Sequence, residues 1–66
     1  MDFIEILKDI MIEFGLNQTT LANKIGVKQS QVSEWLNGKS KASYDTLKAI
    51  CVALDISGDR ILGLED

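Results

Sequence analysis

Between Lys28 and Asn37 the chain sets out Gln29, Ser30, Ser33 and Glu34, four polar side chains whose spacing puts them on one side of a helix. Their chemistry is hydrogen bonding. The amide both donates and accepts, the hydroxyls can do either, and the carboxylate accepts. A glutamine amide can pair bidentately with N6 and N7 of adenine, and a carboxylate can accept from N4 of cytosine. The chemistry missing from this chain narrows the field further. Its 66 residues contain no His and a single Cys, which leaves no Cys/His cluster for zinc and no intrachain disulfide. No phosphate-loop or dinucleotide glycine pattern occurs, and no paired acids mark an evident pocket. Catalysis, a metal site, a cofactor and a small-molecule ligand are therefore not expected.

Charge is distributed unevenly. The net value is −3, which by itself argues against a polyanionic partner. From Asn17 to Tyr44, however, Lys24, Lys28, Lys39 and Lys41 face Glu34 alone, so this stretch carries +3. The remaining residues hold three cations against nine acids, or −6. Such asymmetry orients a small protein toward a polyanion, although an ordinary solvated surface with uneven charge has the same composition. Asp2 and Glu5 stand where a secretion signal would be basic, and no apolar run approaches the length of a membrane span. A cytoplasmic protein is expected.

The elements that must position the polar residues follow from helical periodicity. Phe3, Leu7, Ile10 and Phe14, with Ile4 and Met11 alongside, form an apolar stripe on a first helix that Asp2 can cap and Gly15 can end. Leu21, Ala22 and Ile25 mark a second, capped by Asn17 and stopped by Gly26. Val32, Trp35 and Leu36 mark a third, ending at the turn-forming pair Asn37-Gly38. Leu47, Ile50, Cys51 and Leu54 form a fourth stripe, with Ser43 or Asp45 as cap, and Ser57 can open a short fifth helix containing Ile61, Leu62 and Leu64. The expected fold is all-α, five short helices in one domain spanning 1–66. Trp35 and Cys51 fall inside apolar stripes, so both are expected as core rather than as a stacking platform or a redox group.

Spacing within the second and third helices is more informative than their existence. Counting Gln18 as position one, Leu21, Ile25, Val27, Val32 and Trp35 fall at positions four, eight, ten, fifteen and eighteen. There, two neighbouring helices must bury side chains against each other. Ala22 stands at position five, where a large side chain would hold the helices apart. Gly26 stands at position nine, where the chain leaves the helix. The segment Leu16 to Val27, the run Val32-Ser33-Glu34-Trp35-Leu36-Asn37-Gly38-Lys39 and the run Leu47 to Ile56 resemble the Cro/C1-type (XRE) helix-turn-helix domains of phage repressors and bacterial regulators. The resemblance covers Phe3 to about Leu64 and implies a compact, lambda-repressor-like domain with its helix-turn-helix motif at 18–37.

The resemblance also implies roles. The third helix would enter the major groove of double-stranded DNA, with Gln29, Ser30, Ser33 and Glu34 facing base edges and Gln29 foremost. Gln18 matches a family glutamine that binds a backbone phosphate and braces the first recognition-helix residue, here Gln29. Asn17, Lys28, Asn37, Lys39 and Lys41 would join it on the phosphates. Tyr44 is a further phosphate candidate. The chain departs from a family pattern at Leu36, where many members carry an acid, and no proline follows, so the loop from Lys39 to Ser43 is expected to take its own shape. Family members bind pseudo-palindromic operators as dimers, and Ile56, Ile61, Leu62 and Leu64 are the candidates for a homodimer interface or, alternatively, for closing the monomer core. The expected function is sequence-specific transcription regulation, as a repressor. The alternative is an antitoxin-like protein-interaction module on the same fold with weak or no DNA binding.

Overall fold

The computed structural model describes residues 2–63. At the start, Asp2 adopts extended backbone and its carboxylate accepts from the Glu5 backbone N–H at 3.0 Å, which opens α1, Phe3–Phe14. Gly15 ends that helix in left-handed backbone, φ 65°, and turns the chain so that the Leu16 N–H donates to the Met11 carbonyl at 2.8 Å. Asn17 then opens α2, Gln18–Ile25, with a reciprocal capping pair. Its side-chain oxygen accepts from the Thr20 N–H at 2.8 Å, while its own N–H donates to the Thr20 hydroxyl at 2.9 Å.

After Gly26, helix α3 runs from Gln29 to Leu36 and ends in a turn where Gly38 takes φ 74°. There the Lys39 N–H donates to the Glu34 carbonyl and the Gly38 N–H to the Trp35 carbonyl, satisfying acceptors that the helix end leaves open. Ser43 caps α4, Tyr44–Leu54, and Ser57 caps the single-turn α5, Gly58–Ile61. All five elements expected from periodicity are present, and no strand occurs among the described residues. None of the described helices is long and apolar enough to cross a membrane.

A single core joins them. Leu7 and Ile10 of α1, Leu21 of α2, Val32 of α3 and Ile50 of α4 are fully buried, and Trp35 and Ile61 nearly so. Removing each such side chain from water contributes about 1.5–3 kcal/mol before the entropy of ordering is counted. Helix α2 packs on α3 and α4, while α1 packs on α3 and α5. Two stripe residues differ from the periodic expectation. Phe14, on the last turn of α1, is 37% exposed, whereas Ile6 belongs to the core. The fold-back of Leu16 under Met11 brings Leu16 against the core at the end where Phe14 was expected. At the other end of the chain, α5 stops at Ile61. Leu62 forms its C-cap, and Leu64 lies outside the described residues.

One long-range ion pair ties the first helix to the last. Arg60 donates from both guanidinium ends to the Glu13 carboxylate, each at 2.9 Å. That hydrogen bonding holds the Glu13 carboxyl below the usual carboxylate range against an opposing desolvation, with the guanidinium charge adding a smaller pull in the same direction as the hydrogen bonds.

Candidate nucleic-acid interface

The pairing of α2 and α3 rests on the positions singled out by spacing. Leu21, Val32 and Trp35 are buried, and Ile25 and Val27 are half-buried against the core. Ala22, 2% exposed, fills the place where a larger side chain would push the helices apart. Gly26 has φ 77° with nothing within 4 Å of where a Cβ would stand, so backbone conformation rather than space calls for glycine there. The turn between the helices is completed by the Gly26 and Val27 N–H groups, which both donate to the Ala22 carbonyl.

The outer surface of this pair is polar. Gln29, Ser30 and Glu34 are exposed and Ser33 is half-buried. At the start of α3 the Gln29 amide nitrogen donates to the Gln18 side-chain oxygen, joining the first residues of the two helices across eleven positions of sequence. This bond uses one hydrogen of Gln29 and one oxygen of Gln18. Gln29 is left with its own oxygen and a second N–H, and Gln18 with both hydrogens of its amide.

Gln31 was not among the residues expected to act at this surface, yet its side-chain oxygen accepts from the Lys28 backbone N–H at 3.1 Å and steadies the start of α3. The signal was available: Gln31 stands at the third helical position, where a Gln side chain can reach back to the N-cap N–H, although the Lys28 ammonium has no acceptor to return the bond. Farther along, Asn37 donates from its amide nitrogen to the Ser33 hydroxyl oxygen at 3.3 Å.

Asn17, Lys28, Asn37, Lys39 and Lys41 are all exposed. The Asn17 side-chain oxygen is occupied by Thr20, so only its two N–H groups face outward as donors. No ion pair holds Lys24, Lys28, Lys39 or Lys41 among the described residues. Tyr44 is 79% exposed at the first turn of α4. Apart from Glu34 on α3, the acids among the described residues lie on other elements: Asp2, Glu5, Asp9 and Glu13 at or on α1, Asp45 in the first turn of α4, Asp55 at its end and Asp59 on α5.

The residues considered for a dimer interface separate in the structure. Ile61 is 2% exposed and Ile56 is half-buried against the core, so both serve the monomer interior. Leu62 is 58% exposed. Cys51 is half-buried and its thiol sits 3.7 Å from the Ser57 carbonyl, at the junction of α4 and α5.

A family model described as Helix-turn-helix matches residues 7–61, from the second turn of α1 to the end of α5. No curated protein and no solved structure matches the chain.

Proposed function

The chain belongs to the Cro/C1-type helix-turn-helix (XRE) family of DNA-binding regulators, and on that premise we propose that it is a sequence-specific transcription repressor. Helix α3 enters the major groove, and two copies bind the halves of a pseudo-palindromic operator. The observation that carries this is the Gln18–Gln29 bond at the exposed start of the motif. With one N–H spent on Gln18, Gln29 offers one acceptor and one donor side by side, which complements the N6 donor and N7 acceptor of adenine. Its amide is held before DNA arrives, so less side-chain entropy is lost on binding.

Ser30, Ser33 and Glu34 provide the remaining base-facing groups. Glu34 accepts from cytosine N4 and disfavours bases that present only acceptors. Donors aimed at phosphate come from Gln18, Asn17, Lys28, Asn37, Lys39 and Lys41, and these fix register without reading sequence. Among the described residues of the apolar C-terminal set, Leu62 is the one left to meet a second copy.

Titration of a selected operator duplex at two salt concentrations tests the proposal. A dimer making six or more phosphate contacts loses affinity by about a thousandfold between about 50 and 200 mM salt. Affinity that stays level across that range, or no duplex binding at low salt, would assign the fold to protein contacts instead.

A further inference from the structure

Asn37 closes α3 in ordinary right-handed backbone, φ −92° and ψ −1°, so no strained conformation accounts for an asparagine at this position. Its side chain instead reaches back one helical turn and donates to the Ser33 hydroxyl oxygen at 3.3 Å. Ser33 follows Gln29 by four residues and Asn37 follows Ser33 by four, which places all three on one face of the helix. We propose that Asn37 is a positioning residue that determines which base Ser33 reads, an inference that rests on α3 lying in the major groove.

A serine hydroxyl has one hydrogen and two lone pairs. The Asn37 amide occupies one lone pair and, by polarising the O–H bond, makes the hydroxyl a better donor than acceptor. Ser33 thereby presents a donor to the groove. Guanine O6 and N7, adenine N7 and thymine O4 accept such a donor, whereas cytosine offers its N4 donor at that edge. The pair favours a purine or thymine at its position and selects against cytosine, which could meet only the remaining lone pair of the hydroxyl. The second hydrogen of the Asn37 amide remains for the DNA backbone.

Selection from random duplex DNA with the unsubstituted chain, Ser33→Ala, Asn37→Ala and Asn37→Asp tests this. The unsubstituted chain enriches a site that excludes cytosine at one position per half-site, and Ser33→Ala identifies that position by losing the exclusion. Asn37→Ala relaxes the same position by about fivefold or more and leaves the Gln29 position unchanged. Asn37→Asp can only accept from Ser33, so the hydroxyl hydrogen turns inward and the preference moves toward cytosine or adenine, whose amino groups donate. Ala and Asp both tolerate right-handed backbone, and matched thermal melts of the variants exclude unfolding as the cause. A cytosine exclusion retained by Asn37→Ala, or left intact by Ser33→Ala, overturns the inference while the groove assignment stands. Absence of any enriched site with the unsubstituted chain overturns the groove assignment and this inference together.

Discussion

At the scale of single residues, the two glutamines that begin α2 and α3 divide the work. Gln29 keeps a free acceptor and donor for a base edge, and Gln18 keeps donors for a phosphate. Gln18→Ala leaves Gln29 unbraced, so operator affinity falls while adenine stays preferred at the Gln29 position, as a site-resolved binding assay will register. A lysine in the loop behaves otherwise. Lys39→Ala weakens binding to all sequences about equally and lowers the slope of log affinity against log salt by about one per subunit. Any change in base preference with Lys39→Ala would move that residue from backbone to base. The polar face was legible from residue types and spacing, and the brace from family resemblance. The Asn37–Ser33 bond was not legible because both residues read as DNA contacts, and Gln31 carried no expected role at all. Their side chains are partly spent on holding α3.

At the scale of the element, short helices persist here because each begins with a side-chain cap or a capping residue and most end in a left-handed turn. An eight-residue helix is marginal alone, so caps and packing decide whether it forms. Asn17→Ala removes the side-chain oxygen that accepts from the Thr20 N–H and hydroxyl, and lowers stability by about 1 kcal/mol in denaturant titration. Gly26→Ala meets no neighbouring atom, yet it puts a Cβ on left-handed backbone at a cost of about 1–2 kcal/mol. If Gly26→Ala were neutral, backbone conformation would not be the reason for glycine in the turn. Five helices and their caps could be read from sequence because periodicity and capping are local. Phe14 and Ile6 could not be sorted that way, since which end of a stripe is covered depends on where Leu16 folds back. The Glu13–Arg60 pair, 47 residues apart, has no local signature at all.

For the molecule as a whole, an acidic protein can address DNA because its charges are segregated. Lys24 of α2, Lys28 just before α3, and Lys39 and Lys41 of the following loop share one stretch, and most acids lie on α1 and toward the C-terminal end of the sequence. Those acidic elements are joined by the Glu13–Arg60 pair. Because Arg60 holds the folded-state pKa of Glu13 below its unfolded value, the pair contributes fully at neutral pH, and its contribution is lost as pH falls through the lowered pKa. Glu13→Gln should therefore lower the melting temperature near neutrality, with the difference from the native chain shrinking in acid and in high salt. In the proposed dimer, Leu62 makes the contact between the two copies. Leu62→Glu leaves half-site affinity intact but abolishes two-chain occupancy of a full operator in sedimentation, and an unchanged stoichiometry would place the interface elsewhere. The central claim, that α3 reads DNA sequence through Gln29, is tested most directly by site selection from random duplex with the native chain and Gln29→Ala. A short palindromic site is expected in which Gln29→Ala relaxes adenine preference at one position per half-site, costing about 1–3 kcal/mol on the native operator. Enrichment of no sequence, or an identical site with Gln29→Ala, would contradict it.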